Sequence, residues 1–181
     1  KSLERIYFDE PSNDPKNWVA SNDIENATPG RENSITPKRY NLSVEKIITS
    51  PLYPRKGNNV KLGAVIKNIG LEKAENFEVI FMYSIAQNQW NLLGEISDIS
   101  LNSNDSIIVY SPQEIQNISQ NFKARVDINF LLDEYLSDNQ VEKNIIVGLK
   151  EKIILINEFK YAPKSPEPEW IEIVNASSEP V

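Results

Sequence analysis

Several separate stretches of this chain alternate strictly between apolar and polar residues, while the three-to-four spacing of an amphipathic helix is almost absent. Successive side chains of an extended strand point to opposite faces, so this pattern lets a strand bury one face and wet the other. Val60, Leu62, Ala64 and Ile66 alternate with Lys61, Gly63, Val65 and Lys67. Phe77, Val79, Phe81 and Tyr83 alternate with Glu78, Ile80, Met82 and Ser84; Phe122, Ala124, Val126 and Ile128 alternate with Lys123, Arg125 and Asp127. Shorter stretches at residues 40–48, 91–95, 106–110 and 143–149 are bounded by Gly, Pro, Asn or Asp, which punctuate strands. Together they predict seven strands between residues 39 and 149, the number that suits a small two-sheet sandwich. Residues 112–119, a Ser-Pro entry followed by Gln-Glu, predict a single helical turn.

The flanks have a different texture. Residues 9–37 are rich in Pro, Asn, Asp and Ser and predict an irregular, largely exposed segment attached to one strand at 3–8. Residues 153–161 and 170–175 predict two more strands, split by a Pro-rich turn at 162–168, and residues 177–181 end in mid-pattern. A chain of 181 residues has room for one complete domain with pieces of others, or for two small domains, but not for two large ones. It opens on Lys1-Ser2-Leu3, without an initiator Met or a charged and apolar leader, and so reads as an interior segment of a longer polypeptide. No apolar run approaches the ~20 residues of a membrane-spanning helix.

Composition narrows the chemistry. The absence of Cys removes disulfides, zinc–thiolate sites and thiol catalysis. The absence of His removes the usual general base at neutral pH and the commonest partner for activating Ser. No enzyme activity and no cofactor are therefore expected. A net charge of -7 and a pI near 4.8 oppose nucleic-acid binding, which draws its affinity from clustered Lys and Arg. The densest basic runs, Lys38-Arg39 and Arg55-Lys56, sit beside turn prolines.

Two ligand sites are conceivable from the residues. The acidic stretch with Asp127, Asp133, Glu134, Asp138 and Glu142 has the carboxylate density of a Ca²⁺ loop, and Asp133, Glu134 and Asp138 are its candidate ligands. Its spacing departs from the EF-hand, lacking the mid-loop Gly, and a plain solvated hairpin is the alternative. Trp90, in the polar stretch 86–91, is the Trp expected at the surface and is a candidate sugar-stacking platform, whereas Trp18 and Trp170 are expected to pack in a core or on a loop. Glu158, Glu169 and Glu172 place carboxylates on neighbouring strands, as glycoside hydrolysis would need, but no pocket-forming segment accompanies them.

Four central motifs occur in order: YNLSVEKIITSP at 40–51, RKGNNVKL at 55–62, VIKNIG at 65–70 and VDINFLLDEYLSDNQVEKNIIVG at 126–148. Through them the central block resembles the CARDB family, the cell adhesion related domain found in bacteria, and departs from it over 87–121. The resemblance implies an all-β, immunoglobulin-like or fibronectin-like sandwich. SLERI at 2–6 with PSNDPKNWVASNDIENATPGREN at 11–33 resembles the closing strands of a lamin tail domain. IILINEFKYAPKSPEPEWIEIVNAS at 153–177 resembles the opening strands of the same family. These resemblances imply three parts: 1–36 from one lamin-tail-like module, 37–149 a CARDB-like sandwich, and 150–181 from a second lamin-tail-like module. They also imply a bacterial, secreted or cell-surface parent, whose partners would be neighbouring domains, another protein or a polysaccharide. The terminal pieces could be disordered, dock on the sandwich or pair with each other, within a chain or between chains; pairing is the arrangement expected.

Overall fold

Each stretch of strict alternation is a strand in the computed structural model, which describes residues 1–86 and 89–178. Part of the 87–121 stretch and the end of 177–181 lie outside the described residues. The strands are β1 (Leu3–Arg5), β2 (Trp18–Ala20), β3 (Leu42–Ser50), β4 (Lys61–Asn68), β5 (Ala74–Ser84) and β6 (Asn91–Leu101), followed by β7 (Ser106–Tyr110), β8 (Phe122–Asn129), β9 (Gln140–Ile145), β10 (Ile154–Lys160) and β11 (Trp170–Asn175). Single 3-10 turns lie at Pro15–Asn17 and Leu136–Asp138. No helix among the described residues is long and apolar enough to cross a membrane.

β3 to β9 make the sandwich. One sheet has the order β3-β4-β7, the other β6-β5-β8-β9, and every pairing is antiparallel. The chain crosses from one sheet to the other after β4, β6 and β7, which gives the all-β, immunoglobulin-like architecture. The inward members of the three alternating sets meet in the middle: Leu62, Ala64, Ile66, Phe77, Val79, Phe81, Ala124 and Val126 are all fully buried. At about 1.5–3 kcal/mol for each large apolar side chain, this core is the main source of stability. Phe130 extends it at one end, edge-on to both Tyr40 and Phe77 at 5.8 and 6.3 Å between ring centres.

The motif at 65–70 pins a corner. Asn68 is fully buried; its amide nitrogen donates to Glu72 O (2.8 Å) and Leu101 O (2.9 Å), and its oxygen accepts from Gly70 N (3.0 Å). Gly70 must be Gly for steric reasons, because a Cβ there would stand 2.6 Å from Asn41 N and 2.8 Å from Arg39 O.

Several expectations need correction. Residues 112–119 form no helical turn: Val60 and Ile115 exchange backbone hydrogen bonds of 2.9 and 2.8 Å, and Ile115 and Ile118 drop into the core. Burial of those two side chains against the sheet, together with pairing to residue 60, outweighs the local helix-start signal. The strand expected at 91–95 runs on to Leu101, because register shifts against β5 and left-handed backbone at Gly94 (φ 104°) and Asp98 (φ 57°) break its alternation. β1 is shorter than expected, and residues 9–37, expected to be irregular, contain β2, paired with β1. Around that pair the segment folds back on buried Glu4, whose carboxylate accepts from Thr28 Oγ1, Ser34 N and Ser34 Oγ, each at 2.7 Å. Burial alone would raise the Glu4 pKa, but the hydrogen bonds from Ser21, Ser34 and Thr28 outweigh it and hold the value at about 2.

Among the described residues the terminal pieces do not pair with each other within the chain. β1 pairs with β2, and β10 with β11, as two separate two-stranded sheets.

Candidate functional site

The five acidic residues of 127–142 divide between two places. Asp127 and Glu142 lie on the outer face of the four-stranded sheet, while Asp133, Glu134 and Asp138 belong to the loop between β8 and β9. In that loop Asp133 works as a clasp: Oδ2 accepts from Leu42 N (2.8 Å) and Oδ1 from Tyr135 N (2.9 Å). The amide nitrogen of buried Asn139 donates to Leu42 O (2.6 Å) and Asp133 Oδ2 (3.3 Å). Glu134 faces the other way, accepting from Arg39 N at 3.2 Å. The loop thus holds the start of β3 through backbone groups. Among the described residues, no three His, Cys, Asp or Glu gather closely enough to hold a metal ion.

Asp138 is the strained member. Its Oδ1 is buried with no hydrogen-bond partner. Burial first, then the negative charge of Asp133, outweigh a hydrogen bond from its own backbone N–H and push its pKa up to about 6. A carboxyl whose pKa is higher folded than unfolded stabilises the fold fully below its unfolded value, and that contribution disappears as pH rises through the folded value. Wild-type melting temperature should therefore fall between about pH 4 and pH 6 from this group. Asp138→Asn should remove that fall and melt roughly 5–10 °C higher than wild type at pH 7.5, with no advantage at pH 4. Thermal melts across this range check it. A wild-type midpoint that rises with Ca²⁺ and drops with EDTA would instead assign the loop to a cation.

The second place is built on the outer face of the larger sheet. Because Ala124 and Val126 face inward, Lys123, Arg125 and Asp127 must face outward. Register sets Arg125 between Met82 and Glu142, and Lys123 between Ser84 and Asn144. Arg125 Nε donates to both Asp127 oxygens (2.8 and 3.0 Å), and its guanidinium lies 5.7 Å from the Trp90 ring centre. The hydrogen bond to Asp127 is the main reason that the Arg125 pKa is raised. Lys123 Nζ stands 3.2 Å from Glu142 Oε2. Beside these pairs lies an open groove of about 780 Å³, lined by Trp90, Ile85, Ile146, Lys123, Glu142 and Asn144 among others.

Trp90 is half-buried rather than free, with the guanidinium over its ring. Trp18 packs on a loop, its Nε1 donating to Ser12 O at 2.9 Å, while Trp170 is 40% exposed and joins no core. Among the described residues lining the groove Glu142 is the one carboxylate, so the paired acids of glycoside hydrolysis are not assembled there. Glu158 and Glu172 do stand opposite each other, but on the exposed β10–β11 hairpin. Sequence reasoning missed Lys123, Arg125 and Asn144 as neighbours of Trp90. The available signal was the run of outward charges on β8; what it lacked was the β8–β9 register.

The fold defines the chain as an all-β protein with an immunoglobulin-like sandwich between two small β-hairpin units. No protein-family model and no curated protein matches the chain. Among solved structures it is similar to the CARDB domain of a Pyrococcus furiosus protein, crystallised in complex with di-metal ions: 13% identity, 62% of this chain, 91% of that one, TM-score 0.49. The solution structure of the same domain matches at 12% identity over 62% of this chain and 99% of that one, with a TM-score of 0.47. A cycloisomaltooligosaccharide glucanotransferase of Paenibacillus sp. matches at 13% identity over 60% of this chain and 14% of that one, with a TM-score of 0.44.

Proposed function

We propose that the chain is a non-catalytic spacer or adhesion segment of a longer bacterial polypeptide, secreted or on the cell surface. It is organised as a CARDB-like sandwich over 37–149 between lamin-tail-like pieces at 1–36 and 150–181. The observation that carries this reading is how the titratable groups are used. The interior between the sheets is filled with apolar side chains, and the acids and bases of the two candidate places, apart from Asp138, are engaged with each other or with backbone. A filled interior with occupied surface charges presents surface, and Asp138, the one exception, is not among the described residues that line the groove.

The Trp90 groove favours a second reading, a polysaccharide-binding accessory module, because an aromatic ring beside Asn, Glu and Lys side chains combines stacking with hydrogen bonding. One experiment separates the two. Thermal melts of the whole chain are run with and without soluble polysaccharides, for wild type and Trp90→Ala. The spacer reading expects no shift in either protein. The binding reading expects a rise of roughly 10 °C at ligand about one hundred times above Kd, lost in Trp90→Ala relative to that variant's own baseline. Turnover of any glycoside by the purified chain would overturn both.

A further inference from the structure

Each charged side chain among the described residues that line the Trp90 groove is already paired. Lys123 is the one cation and Glu142 the one anion, and they face each other at 3.2 Å. Arg125 is not among those lining residues, yet its guanidinium lies over the Trp90 ring while its Nε donates to both oxygens of Asp127. It therefore braces the indole from outside the groove, and a ring held in that way loses little freedom when a ligand stacks on it. What stays uncommitted in the groove is uncharged. Asn144 is exposed, and its carboxamide has no hydrogen-bond partner among the described residues. Asn121 spends its side-chain oxygen on Val147 N (2.8 Å), which leaves its amide nitrogen as a donor. Ile85 and Ile146, 45% and 70% exposed, add apolar surface.

We infer that the groove takes an uncharged glycan chain in preference to an acidic one, an inference that rests on the polysaccharide-binding reading and narrows it. Sugar hydroxyls both donate and accept, as the Asn121 and Asn144 carboxamides do, and they need no counter-charge. A uronate or sulfated chain would have to draw Lys123 away from Glu142 or set its own anions beside that carboxylate. The net charge of -7 also opposes the approach of a polyanion from a distance. The volume of about 780 Å³ falls within the ~300–1,000 Å³ of small-ligand sites, which suits a short stretch of glycan rather than a folded partner.

Isothermal titration calorimetry on the whole chain tests this with two sets of soluble polysaccharide: β-glucan, galactomannan and arabinoxylan, which carry no charge, and polygalacturonate and alginate, which do. A neutral member should bind at least about tenfold tighter than either acidic one, with a Kd that changes less than about twofold between ~0.05 and ~0.5 M NaCl. Glu142→Gln frees Lys123, so it should bind polygalacturonate about fivefold tighter than wild type does, the worth of one charge–charge contact in water, and lose that gain in ~0.5 M NaCl. Glu142 lies outside the core, so the melt of the variant should match wild type. No binding to either set overturns the polysaccharide reading and this inference with it. Acidic chains that bind wild type as tightly as neutral ones overturn the inference alone, as does a Glu142→Gln variant without the polygalacturonate gain.

Discussion

Val126→Asp is expected to leave the sandwich unfolded at 25 °C, with no cooperative melt and no near-ultraviolet signal from its tyrosines. Val126 is fully buried on β8, a central strand, where it pairs with Phe81 on one side and Val141 on the other. The substitution forfeits about 1.5–3 kcal/mol of apolar burial. It also takes a carboxylate out of water with no partner, which costs several kcal/mol more even if the group protonates. The total reaches the roughly 5–15 kcal/mol that holds a domain of this size together. Val79→Asp, on the neighbouring strand β5, should behave the same way. Ile108→Asp, at a position 54% exposed on β7, should keep a cooperative transition within about 1 kcal/mol of wild type. A wild-type melt for Val126→Asp would mean that the strand faces the other way.

The second large effect concerns the buried corner. Asn68→Ala should lower stability by about 2–4 kcal/mol, read as a shift of the urea midpoint at constant slope. The loss is not of packing area but of donors: the carbonyls of Glu72 and Leu101 lose the amide that reaches both. Gly70 N keeps a hydrogen bond to Asn41 O (3.0 Å), so its share of the loss is small. Asn68→Asp should be worse than Ala at pH 7, since it turns a carboxylate oxygen toward two carbonyl oxygens. A change under 1 kcal/mol for Asn68→Ala would show that the corner is held by strand pairing alone.

Much of the core was legible before any fold was known. Every inward member of the three alternating sets is buried, apart from half-buried Tyr83. The strand at 170–175 and the strand at 106–110 match β11 and β7 residue for residue. Legibility failed where the period changes. β6 could not be followed past residue 95 because its bulges at Gly94 and Asp98 rotate the pattern, and β2 is too short to show one. At 112–119 the local signal was real, yet two long-range backbone hydrogen bonds to Val60 overrode it. Trp90 was recognised as a surface aromatic, but its setting under Arg125 was not, because that contact depends on where the chain returns some 35 residues later.

What the sequence by itself determined is which side of each strand turns inward, since the pleat fixes a two-residue period and water enforces it on every strand separately. Which strands become neighbours, where an extra residue is tolerated, and which outward side chains come to lie around Trp90 were decided only by the tertiary structure. Those outcomes depend on register between segments far apart in the chain, and local side-chain preferences are blind to a shift that only the closing of the whole sandwich can penalise.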